Sequence, residues 1–385
     1  MAAIDGMLTR SKLEDELEGE RRYSFDYKDG ASVWLTEFGA RAIGLFHSSD
    51  SNTMNGVWTP PNTKEVTQRI RSAGSYTEDI LGGERGWFGN EAGFHDWDNW
   101  KVQTSMDPGR FETINHMIDA FLFRNSGTLE DFQTNDRYKF EVDRTFSKLE
   151  DPFSATDVTY VGFGLRYSIA ITSTDLSRIN NPKVNPWSLM TTYSGTKDYP
   201  GTVIAITNPG AKSITYEDDK QGLPMGERVR IEDAAVYFRT DNVGCHQIAV
   251  KPEDLRYVDD HAVLMKVNQV PDGSGLYELT VKRVPDTPLD RNLPATWQDI
   301  HDIPHYNPEG ERGTLQAYNG PAPSDATQRF TEMEFMLAPL VRTRGGYERT
   351  VHLEVIQYRG EFDKIVGLVQ RIGQMSNVPY LFASE

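Results

Sequence analysis

Residues 22–47, RYSFDYKDGASVWLTEFGARAIGLFH, decide the fold class of this chain. Runs rich in aromatic and β-branched residues flank Asp29-Gly30, and such a dipeptide between alternating hydrophobic residues strongly indicates a β-hairpin. Similar runs, separated by turn residues, recur as far as residue 360. Roughly fifteen strands without interleaved helices predict antiparallel sheets packed as a large sandwich. We find no fixed-period repeat, which argues against a propeller or a solenoid.

Helical periodicity is clear in two segments near the ends of the sequence. Residues 9–20 are charged and place Leu13 and Leu17 four positions apart, which predicts a short helix on the surface. Residues 360–375 predict a second helix that docks on the body, because its apolar residues share one face. Those residues are Phe362, Ile365, Val366, Val369 and Ile372.

Two other stretches interrupt the strand pattern. Residues 62–83 are polar, and we expect them to be partly helical. Residues 283–312 are rich in proline and aspartate and have no clear period, so they predict a long loop of the kind that often carries function. Neither has the composition of a linker, and we therefore expect residues 1–385 to form one domain.

Composition and charge narrow the classes of partner. The chain has 385 residues, of which 38% are hydrophobic and 25% charged, as in ordinary globular proteins. A net charge of −17 opposes attraction to nucleic acid. Cys245 is the single cysteine, which excludes an internal disulfide and fits a reducing compartment. With neither a secretory signal nor a membrane-spanning apolar run, we expect a cytoplasmic protein that does not associate with membranes.

Residues 82–100, GGERGWFGNEAGFHDWDNW, combine aromatic rings with acids and indicate a sugar site. The stretch holds three of the seven tryptophans and four carboxylates. Sugar C–H faces stack on rings while sugar hydroxyls bond to carboxylates, whereas a core strand favours the rings alone and a solvent loop the acids alone. The candidate substrate-binding residues are Glu84, Arg85, Trp87, Glu91, His95 and Trp97. The alternatives are an ordinary ion pair for the arginine and core positions for the tryptophans.

A metal site in this stretch has weak support. Asp96, Asp98 and Asn99 offer the oxygen ligands that suit calcium, but the spacing lacks the loop glycine of the helix–loop–helix calcium site. Proton transfer at a sugar carbon needs only an acid and a base. We therefore expect neither a metal nor an organic cofactor.

Several stretches resemble the galactose-mutarotase-like superfamily. EFGARAIGLFHSSDSNTMNGVW (37–58) looks like the superfamily's opening strands. Four more resemble an uncharacterised bacterial family of the same fold: GGERGWFGNEAGF (82–94), NPWSLMTTYSGTKDYPGTVIAI (185–206), AVYFRTDNVGCHQIAVKP (235–252) and TLQAYNGPAPSDATQRFTEMEFMLAPL (314–340). The resemblance implies an all-β supersandwich of antiparallel sheets with short peripheral helices. The superfamily includes aldose 1-epimerases, sugar-phosphate epimerases and domains of lyases and glycosidases, so the fold does not choose the reaction.

The mutarotase pattern requires a carboxylate base near the end of the chain. FTEMEFMLAP (330–339) resembles the strand that carries this base, with Glu334 five positions before Pro339. The period of two in a strand places Glu332 and Glu334 on the same face, and Glu332 is the second candidate. The alternative is the solvated outer face of an edge strand.

The pattern also requires a histidine acid on a middle strand, and here the chain departs from it. The family motif reads Asn-His-x-Tyr-Phe, whereas this chain has NPWSLMTTY with Trp187 in that neighbourhood. His246 is the first replacement acid and His95 the second. The remaining predicted substrate-binding residues are Arg239, Lys251, Tyr318 and Asn319.

Three functional hypotheses follow from these residues. The first is an enzyme with epimerase-like acid–base catalysis on a small sugar or sugar acid, with Glu334 as base and His246 as acid. The second is a lyase or glycoside-cleaving enzyme, in which Arg85, Arg239 or Lys251 neutralises a uronate carboxylate. The third is a sugar-binding module without turnover. Each implies a small carbohydrate as the partner.

Overall fold

The computed structural model describes residues 7–74, 76–77, 80–89, 91–96, 101–132, 134–172, 184–217, 224–232, 234–284, 313–320, 330–379 and 381–382. Within them, two large antiparallel sheets pack face to face, and a small third sheet and short helices lie around them. The all-β architecture predicted from the alternating runs is confirmed.

The strands follow one another along most of the chain. The first twelve are β1 (Arg22–Asp26), β2 (Ser32–Thr36), β3 (Arg41–Phe46), β4 (Tyr76–Thr77), β5 (Glu84–Gly89), β6 (His95–Asp96), β7 (Lys101–Gln103), β8 (Glu112–Met117), β9 (Ala120–Glu130), β10 (Arg137–Lys148), β11 (Thr159–Thr172) and β12 (Asn185–Tyr193). The others are β13 (Gly201–Ile206), β14 (Ser213–Glu217), β15 (Val229–Glu232), β16 (Ala235–Thr240), β17 (His246–Val250), β18 (Ala262–Gln269), β19 (Tyr277–Val284), β20 (Leu315–Asn319), β21 (Phe330–Met336), β22 (Val341–Arg342) and β23 (Tyr347–Gly360).

Two sheets make up the sandwich, and chain order differs from spatial order in both. Among the described residues, sheet A has nine strands in the order β1-β2-β3-β5-β12-β21-β20-β17-β14. Sheet B runs β15-β16-β13-β18-β19-β23-β11-β10-β9-β8, with β22 paired to β23. The third sheet runs β4-β7-β6. Four consecutive strands of sheet A, β5-β12-β21-β20, therefore come from three segments that are far apart in the sequence, because only β20 and β21 follow one another along the chain.

The opening hairpin forms as its sequence predicts. β1 pairs with β2 so that Phe25 lies opposite Val33. The connection places Asp29 at φ 62° and Gly30 at φ 78°, the left-handed conformation that aspartate and glycine tolerate. Turn chemistry at these two residues thus sets the register of the first strands.

The three longest helices lie within the segments predicted to be helical and are shorter than those segments, whereas the two four-residue helices were not predicted. They are α1 (Arg10–Glu16), α2 (Thr63–Ala73), α3 (Glu91–Phe94), α4 (Met225–Arg228) and α5 (Phe362–Gly373), with 3₁₀ turns at Lys28–Gly30 and Pro252–Asp254. Thr9 caps α1, and Leu13 is fully buried against Trp34 and Phe46. One face of α5 packs on sheet B through Ile365 and Val369, as predicted. No helix among the described residues combines the length and apolarity needed to cross a membrane.

The space between sheets A and B holds a hydrophobic core and, unusually, several buried charges. Glu84 of sheet A pairs with Arg144 of sheet B, and both side chains are almost fully buried. Two lysines of sheet B, Lys266 and Lys282, are also fully buried. Charges are costly to desolvate, so each needs hydrogen-bond partners in the interior. The predicted loop 283–312 lies outside the described residues from position 285 onward.

Candidate functional site

Four strands of sheet A bring some of the predicted residues of two distant stretches onto one face. In the register of β5, β12, β21 and β20, Arg85 lies opposite Leu189, Leu189 opposite Glu334, and Glu334 opposite Gln316. Residues directly opposite in antiparallel strands point to the same side. We call this side the site face; it is turned away from sheet B.

The two acids of β21 share the site face. Glu334 is 1% exposed, and its Oε2 accepts a hydrogen bond from Nε1 of Trp187 at 3.0 Å. Glu332 is more accessible, and its Oε1 lies 2.5 Å from Nη2 of Arg85. The period-two prediction for this pair is confirmed, because residues 330–336 form a strand. The edge-strand alternative is wrong, since β21 lies between β12 and β20.

Aromatic rings line the face around these acids. The Trp87 ring lies 5.4 Å from that of Trp187 in an edge-on arrangement and 4.9 Å from that of His95. The guanidinium of Arg85 sits 4.4 Å from the centre of the Trp87 ring. Further along, the rings of Trp58 and Phe330 lie 4.7 Å apart. The face thus offers apolar walls beside a buried carboxylate.

Asp107 fixes Trp87 from the loop after β7. Its Oδ2 accepts a 2.5 Å hydrogen bond from Nε1 of Trp87, and Oδ1 pairs with Arg41. Burial alone would raise the pKa of the Asp107 carboxyl, but Arg41, Arg85 and the indole N–H outweigh it and hold that pKa below its usual value. Asp107 is therefore ionised at neutral pH and locks the orientation of the indole.

Arg85 has donors to spare. Its Nη2 pairs with Glu332, whereas Nε and Nη1 are buried and have no hydrogen-bond partner among the described residues. Nε1 of Trp58 is also buried and has no hydrogen-bond partner among the described residues. A buried donor without an acceptor costs about 1–3 kcal/mol, and a ligand that accepts its hydrogen bond would remove this cost. These donors suit the oxygens of a polar ligand.

Glu84 does not share the site face, because neighbouring positions of a strand point to opposite sides. It points between the sheets, where it pairs with Arg144 and accepts a 2.8 Å hydrogen bond from Oγ of Ser188. Glu84, a candidate substrate-binding residue, is thus not placed beside Glu334 on the site face. Arg85, the next residue, takes that place.

His246 and Asn319 point away from the site face as well. They lie opposite each other in the register, and Asn319 lies opposite Thr331, three positions from Glu334. The amide oxygen of Asn319 accepts from the backbone N–H groups of Asp241 and Asn242, both at 3.0 Å. Its nitrogen donates to the carbonyl of Gly244 at 3.0 Å. Asn319 therefore clamps the 241–244 turn, and His246 is not brought to Glu334.

Of the remaining predicted residues, some lie on the site face, some lie elsewhere in the fold, and some lie outside the described residues. Tyr318 is on the site face opposite Glu332, and its hydroxyl accepts from Sγ of Cys245 at 3.2 Å. Arg239 lies in sheet B and pairs with Asp241 at 3.0 Å, and Lys251 follows the end of β17. The side chain of Glu91 and all of Trp97 lie outside the described residues, as do the Asp96 side chain, Asp98 and Asn99. In the described part of the chain, no group of three His, Cys, Asp or Glu residues is placed to hold a metal.

Sequence reasoning missed several residues of the face. Gln316 lies opposite Glu334 and accepts a 2.7 Å hydrogen bond from Gln247, and period two from Tyr318 would have found it. Trp187 was visible only as a departure from the mutarotase motif. No signal in the sequence pointed to Asp107 or Trp58, since both come from loops whose packing is set by the tertiary structure.

Comparison with known proteins gives similarity to solved structures alone. A putative aldose 1-epimerase from Klebsiella pneumoniae subsp. pneumoniae is 11% identical at a TM-score of 0.46, covering 94% of this chain and 85% of its own. A galactose mutarotase related enzyme from Lactobacillus acidophilus is 9% identical at 0.39, covering 88% and 97%. An aldose epimerase homologue from C. elegans is 11% identical at 0.39, covering 89% and 99%. No family model and no curated protein matches the sequence.

Proposed function

We propose that this chain is a carbohydrate-active enzyme that moves protons at the anomeric centre of a small sugar, in the manner of an epimerase or mutarotase. One observation carries the proposal: Glu334 is buried on an aromatic-lined face and oriented by Nε1 of Trp187 at 3.0 Å. A carboxylate held beside apolar rings suits a general base acting on a sugar, because the rings pack against C–H faces and exclude water.

His95 replaces His246 as the proposed acid. Its ring lies against Trp87 and is 6.1 Å from that of Trp187, the residue that binds Glu334. Base and acid thus flank one indole. His246 has no such position, because it lies on the opposite face of the sheet.

The reaction runs as a balanced exchange of protons. Glu334 takes the proton of the anomeric hydroxyl, and the electron pair of that O–H bond forms the carbonyl. The bond from the anomeric carbon to the ring oxygen breaks, and His95 protonates that oxygen. Rotation about the adjacent C–C bond and the reverse steps close the ring with the other configuration. Neither a redox cofactor nor a net change of protonation is needed.

A screen of mono- and oligosaccharides by NMR tests the proposal, with E334Q as the critical variant. We expect anomeric exchange with at least one free sugar and a fall in turnover of about 10²–10⁴ in E334Q, because general base catalysis typically contributes that much. Sugar affinity should change much less, since an amide still bonds to hydroxyls. The matched control is E348Q on exposed Glu348 of β23, which should keep full turnover.

Two outcomes would contradict the assignment. Near-normal turnover in E334Q would exclude Glu334 as the base. Saturable binding without turnover in the unmodified protein would favour a binding module instead.

Elimination on a uronate is the second candidate, and the spare donors of Arg85 favour it. Nε and Nη1 point in different directions, so each would donate to a separate oxygen of the ligand, and the positive charge of the guanidinium would neutralise the uronate carboxylate. The same screen separates the candidates, because elimination yields an unsaturated product that absorbs in the ultraviolet, whereas anomeric exchange leaves the spectrum unchanged.

A further inference from the structure

Lys282 is a charged group in the interior of the sandwich to which the proposed chemistry assigns no step. It belongs to β19 of sheet B and is fully buried. Its Nζ crosses to sheet A and donates to the carbonyl of Ser188 at 2.8 Å and to that of Met333 at 3.1 Å. These carbonyls belong to the neighbours of Trp187 and Glu334 in the chain. One ammonium thus joins β12 and β21 directly behind the carboxylate and the indole that orients it.

Packing alone does not explain a lysine at this position. Burial lowers the pKa of Lys282 to about 7, with Glu84 and Glu334 opposing that shift and Arg144 and Arg85 adding to it. An apolar side chain of similar length would fill the same space without the cost of desolvating a charge. The lysine therefore provides a positive charge and two hydrogen bonds to backbone carbonyls, which methionine would not provide.

We propose that Lys282 is a positioning residue, which holds β12 and β21 together behind the site and whose positive charge keeps Glu334 in the carboxylate form. The proposal rests on the proposed function, because it assumes that Glu334 is the base. The charge acts through sheet A. The ammonium of Lys282 lies against the inner face of β21, and the carboxylate of Glu334 lies on the site face of β21. Among the described residues, the other charged groups that act on Lys282 are Glu84 and Arg144, which pair with each other, and Arg85, which pairs with Glu332.

The chain contains a matched control, Lys266 of β18. It too is fully buried, and burial lowers its pKa to about 7 against the opposing effect of Glu278. Its Nζ donates to the carbonyl of Tyr193 and, at 2.9 Å, to Oδ1 of Asn268. Lys266 therefore binds the far end of β12, six positions from Trp187. Removing it imposes the same loss of a buried ammonium without removing a charge behind Glu334.

The experiment compares K282M, K282Q and K266M by the pH profile of kcat/KM on the sugar found in the screen. We expect the acidic limb of the profile to move to higher pH by about one unit in K282M, because loss of a nearby cation favours protonation of the carboxyl. K282Q should show the same shift while its amide still donates to the two carbonyls. K266M should leave the limb in place.

A second measurement needs no substrate and separates the two failures. Carbon NMR of carboxyl-labelled glutamate follows the titration of Glu334, whose signal is identified by its absence in E334Q. We expect the midpoint to rise by about one unit in K282M and K282Q and to stay unchanged in K266M. An unchanged midpoint in K282M and K282Q overturns the role of Lys282, whatever the activity. A raised midpoint in a protein that turns over no sugar would support the coupling and refute the proposed function.

Discussion

At the scale of single residues, Arg85 has the least ordinary environment on the site face. Arg85 is 1% exposed, its guanidinium stacks on Trp87, and one of its nitrogens pairs with Glu332. The two other nitrogens have no partner in the described part of the chain. A planar guanidinium holds its two free nitrogens in fixed directions for the oxygens of a ligand, whereas a flexible ammonium does not.

R85K tests this property. The lysine keeps the positive charge for Glu332 but lacks the Nε and Nη1 donors of the arginine. We therefore expect sugar affinity to fall about tenfold or more, as for the loss of a charge-assisted hydrogen bond. Calorimetric titration with the sugar measures the change, and R137K on exposed Arg137 serves as control. Unchanged affinity in R85K would mean that the spare donors do not meet the ligand.

Prediction from sequence succeeded within a strand and failed between strands. Period two placed Glu332 beside Glu334, and both lie on one face of β21. The same reasoning could not tell that Glu84 and His246 point the other way, because the face that a strand presents depends on its register with partners that are distant in the sequence. A register shift of one residue would have exchanged the roles of Glu84 and Arg85.

At the scale of elements, Asn319 ends β20 by holding the turn before β17. Its amide makes hydrogen bonds to the backbone of Asp241, Asn242 and Gly244, all at 3.0 Å. Such side-chain bonds compensate backbone groups that the turn leaves without ladder partners. Its role in the structure is that of a clamp between elements.

N319A should therefore lower stability and spare the chemistry. We expect a loss of about 2–4 kcal/mol, since several buried backbone groups lose their partners together, and a matching fall in the urea midpoint. Turnover at low temperature should change less than twofold. Exposed Asn52 provides the control variant, N52A. If N319A instead kept its stability and lost sugar affinity, the substrate-binding role predicted from the sequence would be restored.

Elements were predicted from the sequence with more success than their arrangement. The hairpin around Asp29-Gly30 and the helices near both ends follow from turn chemistry and periodicity, which are local. The order β5-β12-β21-β20 does not, because nothing in a strand's own residues specifies a neighbour more than a hundred positions away. The resemblance to a known superfamily predicted the sandwich of antiparallel sheets and not this order of strands.

At the scale of the whole molecule, His47 connects the two sheets. It follows β3 of sheet A, and its ring nitrogens lie 3.1 Å from Oε1 of Gln357 on β23 and 2.9 Å from Oγ1 of Thr159 on β11. Burial, aided by the charge of Arg359, lowers the pKa of His47 well below its usual value. The folded chain therefore keeps this ring neutral at pH values at which the unfolded chain protonates it.

The sign of the resulting pH dependence is fixed. Below about pH 6.5 the unfolded state binds a proton that the folded state does not. The free energy of unfolding therefore decreases as the pH is lowered, by up to about 1.4 kcal/mol per pH unit. We expect H47N to lose stability less steeply between about pH 6.5 and 4.5, as measured by urea midpoints at several pH values. H352N, at exposed His352, should keep the original slope. Parallel curves for H47N and the unmodified protein would show that other groups dominate the acid limb.

The contact between Arg85 and Glu332 spans 247 positions of sequence. Closing so long a loop is slow, and the site face around Glu334 is complete only when β12 and β20 both lie beside β21. β21 follows β5 and β12 in the chain, so Glu334 reaches its place only after those two strands have been synthesised. Sugar binding by the proposed site therefore reports that β5, β12 and β21 have assembled, and we expect a chain that ends before residue 330 to bind none.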